Sequence, residues 1–487
     1  MKNLHARLPV LAFLILLTVP VTARQKTAAA AEPLKTDLTI YNQNLSLIRE
    51  ERAIDIPAGT ARVIVPDIPA TIDGTSLSFR SLTDPAAVRI LEQNYRYDLV
   101  SREKLLQRYI GKEIQFGGAT GKLLAAGTRS YDGSHSAVGL VAEINGKIEL
   151  DPGGQIVLPK LPEGLILKPQ LEWLVSNNRE GEQKTELSFL AGGLSWNANY
   201  VALLDKSDTK LDLTGWVTVT NNSGTSFRDA GLKLVAGDVN LVNDQLEYMR
   251  KGGVRAEAVN AAAPQFKQTD LFEFKLYTLG RRTDLANDET KQIELVRGAG
   301  ITAEKKFIYD GLADQWRYWY NSASYREQGS LGQQSNPKVG VYVTFKNAES
   351  SGLGMPLPKG KIRVYKKDDD GKEQFIGEDE IDHTPKDEEL RLYLGNAFDL
   401  VGERAQTDYR VVVPNHSYEE TIQIKVRNHK KEDAEVQIYE HPWRWNQWEI
   451  VKTNADYVKV DQTTIRFPVK IAKDGEKTVT YTIRYSW

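Results

Sequence analysis

The stretch LTIYNQNLSLIREERAIDIPAGTARVIVPDIP, Leu38–Pro69, decides the fold. Apolar residues recur at every second position, as in Ile54/Ile56 and Val63/Val65, on both sides of the break at Pro57-Ala58-Gly59. Successive strand side chains point to opposite faces. The stretch therefore predicts two half-buried strands joined by a turn.

The same beat runs outward along the chain. It returns in VRILEQNYRY (88–97), in the long runs 172–205 and 210–242, and in YRVVVP, EETIQIKVRNH, DAEVQIYEHP, TTIRFPVKIA and KTVTYTIRYSW between 409 and 487. Asn145-Gly146, Asp151-Pro152-Gly153 and Asp370-Gly371 supply turn chemistry between strands. One segment breaks the rule. In SREKLLQRYIGK (101–112), Ser101 is placed to cap and Glu103 to meet the first turn. Leu105, Leu106, Tyr109 and Ile110 share a face, and Gly111 stops the run. This predicts one short helix near 101–110 in an otherwise all-β chain.

At roughly 100–200 residues per domain, 487 residues suggest several β domains. The expected division is a signal peptide (1–23), an N-terminal β domain with the helix (33–110), and a small barrel-like β module (111–162). A middle β-sandwich (163–243), a linker or mobile loop (244–269) and a C-terminal β-sandwich region (270–487) follow. Loops of two to six residues fit antiparallel sandwiches.

The N-terminus sets the compartment. Lys2 and Arg7 precede the apolar run Val10–Val21, and Val21-Thr22-Ala23 follows. A basic start, a short apolar core and a small-residue site are the marks of a secretory leader. The run is too short for a spanning helix, which needs about 20 residues. A second possible cut lies in TAAAAE, after Ala30 or Ala31. An exported chain with no cysteine has no disulfides and must hold itself by burial. A net charge of −2 gives no field for nucleic acid. Sequons stand at Asn44, Asn221 and Asn415.

Several stretches carry a resemblance: VPDIPATIDGTSLSFRSL (65–82), LSWNANYVALL (194–204), VTNNSGTSFRDAGLKLVAGDVN (219–240), LYTLGRRTDLANDETKQIEL (276–295) and, most specifically, residues 336–400. Together they resemble the bacterial family named domain of unknown function 4139, kin to the mucoidy inhibitor A proteins. The resemblance covers nearly all of the chain after the leader. It implies a β-rich exported protein, periplasmic or extracellular, and brings no catalytic residues with it. The long coiled-coil insertion of the mucoidy-inhibitor relatives is absent, and residues 244–269 sit about where it would be.

Two clusters compete as functional sites. In FIGEDEIDHTPKDEEL (375–390), acidic residues crowd around His383. Read as a strand, it places Phe375, Asp379, Ile381 and His383 on one side, and Ile376, Glu378, Glu380 and Asp382 on the other. Asp379 and His383 are then about 13 Å apart, too far to share an ion. The stretch Lys366–Gly377 imitates a calcium loop around Gly371, but its first and last ligand positions hold Lys366 and Gly377. Neither stretch predicts a metal site. S-x-x-K occurs at Ser101/Lys104, Ser207/Lys210 and Ser335/Lys338 without its K-T-G companion. No catalytic residue and no cofactor is expected.

The second cluster is aromatic: QWRYWYN with Trp316 and Trp319, and HPWRWNQWE with Trp443, Trp445 and Trp448. These five are the candidate ligand-binding residues, since exposed rings stack on sugars or anchor a partner. The alternative is that the rings fill a core or cover a junction. In the strand reading, Trp448 enters the core, while Trp443 and Trp445 lie beneath a loop and stay partly exposed. The expected function is a non-catalytic binding or structural component of the cell envelope, with an envelope protein or glycan as partner. The alternative is a glycan-active hydrolase using paired carboxylates.

Overall fold

The computed structural model describes residues 26–127, 139–237, 239–240, 265–320, 322–326, 328–329 and 335–487. The expected leader and most of the expected linker lie outside them. Strand makes up 61% and helix 5% of the described residues, so the fold is all-β. Among the described residues no helix is long and apolar enough to cross a membrane.

The chain divides into two units, residues 1–36 with 49–190, and residues 37–48 with 191–487. In the first, Lys26–Ala29, Gly59–Pro66, Gln170–Asn177 and Val88–Arg96 lie side by side in that order. Ser46–Ile56, from Arg49 onward, Gly181–Ala191 and Ser78–Ser81 make a second layer. Ile54, Ile56, Val63, Val65, Trp173, Val175 and Leu187 close the core between them. These are the alternating residues of the opening stretch and its partners.

Between Val88–Arg96 and Gln170–Asn177 sits the predicted helix, Arg102–Tyr109. Ser101 Oγ accepts the Lys104 N–H at 3.2 Å, and Gly111 adopts φ +81°. Leu106 and Tyr109 pack on Ile114, Phe116, Leu123, Ala142 and Ile144 of a five-stranded antiparallel sheet. The end strands of that sheet, Lys147–Leu150 and Ile156–Val157, do not pair with each other among the described residues.

The contacts divide the chain elsewhere than the sequence boundaries do. Gln170–Asn177, expected in the middle sandwich, pairs on both sides with N-terminal strands. Leu194–Leu204 and Lys210–Asn221 do not form a domain apart from residues 270–487: they pair with Gly360–Lys367 and Glu289–Asp310. The end of the expected linker, residues 266–269, belongs to a strand, Phe266–Leu271, paired with Phe274–Leu279. Local periodicity identifies strands but carries no information about partners far away in sequence.

Two long strands organise the second unit. Glu289–Asp310 and Glu389–Val413 run out of one strand set into a C-terminal sandwich. One sandwich sheet is Glu389–Val413, Ser417–Asn428, Glu476–Ser486 and, at its edge, Gln447–Thr453. The other joins the end of Glu289–Asp310 to Ala434–Glu440, Ile465–Ile471 and Val458–Lys459. Ile422, Ile424, Val426, Val436, Ile438, Phe467 and Ile483 are buried between them.

A buried asparagine recurs where strands give way to loops. Asn177, Asn221, Asn347 and Asn428 are 3%, 0%, 0% and 0% exposed. Each Nδ2 donates to carbonyls of the loop that follows or of a neighbouring segment: Ile56 and Arg179 for Asn177, Thr225, Leu285 and Ala286 for Asn221, Met355 and Pro385 for Asn347, and Glu432, Ile471 and Ala472 for Asn428. Buried carbonyls without partners would each cost about 1–3 kcal/mol. One amide therefore satisfies a whole irregular crossing.

Candidate functional site

The two aromatic segments meet, and strand register explains why. Glu289–Asp310 and Ala434–Glu440 are parallel neighbours, with Asp310 opposite Tyr439. Their continuations leave the sheet side by side. Asp310 Oδ1 accepts the N–H groups of Leu312 and Ala313, turning the chain toward the one-turn helix Gln315–Trp319. After Glu440, Pro442 has no N–H to extend the ladder, and His441–Asn446 is a loop.

Trp316 stacks on His441, with centroids 4.5 Å apart and planes at 11°. His441 Nε2 lies 3.1 Å from Asp310 Oδ2, and Nδ1 lies 3.2 Å from the Thr463 carbonyl oxygen. Trp319 packs on Trp443 at 5.1 Å, and the Arg444 guanidinium lies 4.4 Å from the Trp443 ring centroid. Tyr320 Oη donates to Asn446 Oδ1 at 2.8 Å.

Arg444, fully buried, anchors this assembly. Its Nε donates to Glu420 Oε2 at 3.0 Å, and its Nη1 to the carbonyls of Tyr325 and Gln328 at 3.2 and 2.9 Å. The rings of Tyr409 and Tyr418 also face the guanidinium. Gln406 Nε2 donates to the same Glu420 oxygen at 2.9 Å.

A second pair lies in the same core. Arg404 Nε bridges both oxygens of Glu440 at 2.9 and 3.1 Å, and Tyr481 Oη donates to Oε2. Burial alone would lower the pKa of both guanidinia. The Glu440 carboxylate beside Arg404 and the Glu420 carboxylate beside Arg444 outweigh it, so both are raised and stay charged. Burial, with Glu440 adding to it, pushes the Tyr481 phenol well above its ordinary value. Arginine suits such a place because its planar fork matches a carboxylate and its faces stack on rings.

Each expected ligand residue now has a position. Trp316 and Trp319 are half-buried, and Trp443 is 1% exposed. Trp445 and Trp448 are partly buried against the sandwich core. Trp448 Nε1 donates to the Gln462 carbonyl at 2.8 Å, with Lys459 over its ring. This reverses the expected order of Trp443 and Trp448. Trp448 sits on the edge strand Gln447–Thr453, which among the described residues has a sheet neighbour on one side only. Trp443 precedes that strand, so alternation does not govern it, and the helix Gln315–Trp319 covers it.

The charged residues of this core are missing from the sequence reading, yet their signal is present. Glu420 shares the inward phase of Ile422, Ile424 and Val426, and Glu440 that of Val436 and Ile438. A charge at an inward position of an alternating strand calls for a buried partner.

The acidic hairpin is different in every respect. Gly360–Lys367 pairs with Glu373–Ile381, and a bulge at Val364/Tyr365 shifts the expected alternation. Glu378 meets Lys361 and Arg363, and Lys359 meets Glu380 and Asp382. Asp379 accepts the N–H groups of Glu380 and, on a neighbouring strand, Tyr393. His383 lies past the strand end and its Nδ1 accepts the Lys359 N–H at 3.0 Å. Among the described residues no group of three or more His, Asp or Glu is arranged to hold a metal ion. The S-x-x-K serines serve local structure: Ser101 caps its helix, Ser207 bonds within a hairpin turn and Ser335 accepts the Arg404 N–H.

Beside the Arg444 assembly, Tyr409, Val411, Val413, Tyr418 and Trp487 line a groove of 150 Å³, below the roughly 300–1,000 Å³ of small-molecule sites. No family model matches this chain, and no curated protein matches it.

Proposed function

We propose that this chain is an exported component of a bacterial cell envelope, a binding or structural protein of the domain of unknown function 4139 kind, without catalytic activity. One observation carries the reading: the carboxylates and rings best suited to chemistry are tied up in the fold. A glycan hydrolase needs two carboxyl groups about 5–10 Å apart across a substrate cleft. Glu420 and Glu440 are 3% and 1% exposed, and each is held by an arginine. Export is supported by the leader-like residues 1–23.

The helix Gln315–Trp319 presents an aromatic surface, with Tyr318 83% exposed beside half-buried Trp316 and Trp319. It suits an envelope glycan or protein. The test is fractionation of bacterial cells followed by capture from envelope extract, using wild type and Tyr318→Ala. Recovery with the envelope and partner loss in the variant is the expected result. Turnover of an envelope polysaccharide, abolished by Glu420→Gln in a protein that still folds, would replace this reading with the hydrolase.

A further inference from the structure

Two leader cuts compete in the sequence, after Ala23 and after Ala30 or Ala31, and the fold of the first unit separates them. Lys26–Ala29 is a strand, paired in parallel with Gly59–Pro66: Lys26 opposite Ala61, Thr27 opposite Arg62, Ala28 opposite Val63 and Ala29 opposite Ile64. Ala30 continues the pairing by donating its N–H to the Ile64 carbonyl at 2.8 Å. It is 6% exposed and part of the core. The Ala31 carbonyl accepts Arg52 Nη1 at 3.0 Å, and Leu34 N–H donates to the Glu51 carbonyl at 2.7 Å.

Arg52 makes the choice of cut costly in one direction. It is 1% exposed and paired with Glu50, 2% exposed, at 2.7–2.9 Å. A cut after Ala31 removes one of the carbonyls to which Arg52 Nη1 donates, leaving the longer bond to the Pro66 carbonyl at 3.3 Å. A cut after Ala30 leaves the Ala31 carbonyl but sets a new ammonium on Ala31, next to a buried cation. Either cut also strips the strand from Gly59–Pro66 and bares an edge. A cut after Ala23 leaves Arg24 and Gln25 ahead of an intact strand.

We propose that the leader is removed after Ala23 and that the mature protein retains Lys26–Ala29 as a structural edge strand, with Ala30 and Ala31 bonded behind it. The inference rests on the export reading above. In the step, a leader protease directs water onto the Ala23 carbonyl carbon. The Ala23–Arg24 amide bond breaks, leaving a carboxylate on Ala23 and an ammonium on Arg24. Small or modest side chains at Val21 and Ala23 fit such a protease.

The experiment is intact-mass and N-terminal analysis of the protein recovered from the envelope of a bacterial host. It is paired with the melting temperature of a variant whose leader is joined directly to Glu32. The expected result is a mature chain starting at Arg24 and a melting temperature several degrees lower for the shortened variant, because a strand and core residues are lost. Exported protein starting at Ala31 or Glu32 overturns the inference and leaves export standing. A shortened variant that melts like wild type overturns the structural role of the strand. Intact Met1 on cytoplasmic protein overturns the export reading, and the inference with it.

Discussion

The acidic hairpin 360–390 and the arginine–tryptophan lock around residue 444 both pair carboxylates with cations, but in opposite surroundings. In the hairpin, charge is dense, exposed and answered pair by pair by lysines and arginines, most from the adjoining strand. Such pairs contribute little, because water screens them. In the lock, few charges are present, but Arg404, Glu420, Glu440 and Arg444 are nearly or fully buried. There a lost partner leaves an ion stranded in a poor solvent. The crowded stretch draws the eye in the sequence. The sparse one is where the loss of a single partner is costly.

The largest break in that contrast should come from Glu440→Gln. It strands the Arg404 cation, and losing one partner of a buried pair costs about 3–5 kcal/mol. Urea unfolding measures it, and a shift no larger than that of a surface variant would mean the pair is not buried in solution. Next come the tryptophans. Trp443→Ala should cost about 3–5 kcal/mol, the range for a buried large aromatic, and Trp448→Ala on the edge strand should cost less. Equal losses, or the reverse order, would restore the strand reading of HPWRWNQWE.

At the hairpin, Glu378→Gln should leave the urea midpoint within error of wild type at neutral pH. A drop comparable to that of Glu440→Gln would erase the contrast. The smallest effect is confined to acid. Asp205 is held at a pKa of about 2 by hydrogen bonds from Ser207, Lys210 and Thr209 in its hairpin turn. Its folded value lies below the usual carboxylate of about 3.9. The stability it contributes is therefore complete above about pH 4 and is lost as pH falls toward 2. The midpoints of wild type and Asp205→Asn should differ at neutral pH and converge on acidification. A difference independent of pH would assign the role to turn shape alone.

Much of this was legible in the sequence because it is local. Alternation in Leu38–Pro69, the Ser101 cap and the Asp370-Gly371 turn each depend on neighbours a few residues away. What lay beyond local reading is long-range partnership. Nothing near Gln170 says that it returns to the strand after Gly59, and nothing near Trp316 says that His441 waits beside it. That meeting follows from the parallel register of Asp310 and Tyr439, which no short window contains. The buried glutamates fall between the two cases. Their inward phase is readable at Glu420 and Glu440, whereas the arginine that answers each is not.

The buried asparagines bear on how the protein is made. Asn221 begins the sequon Asn221-Asn222-Ser223, and its amide nitrogen holds three carbonyls while Ser223 Oγ donates to its Oδ1. In a eukaryotic secretory host, a sugar would be attached to that nitrogen during synthesis, before the crossing has formed. The sugar has no room at a position with no exposed surface. Material from such a host should accumulate as glycosylated, unfolded chain, and Asn221→Gln would not rescue it, because the longer side chain misplaces the amide. A bacterial periplasm imposes no such modification, so the choice of cell is set by one hidden nitrogen.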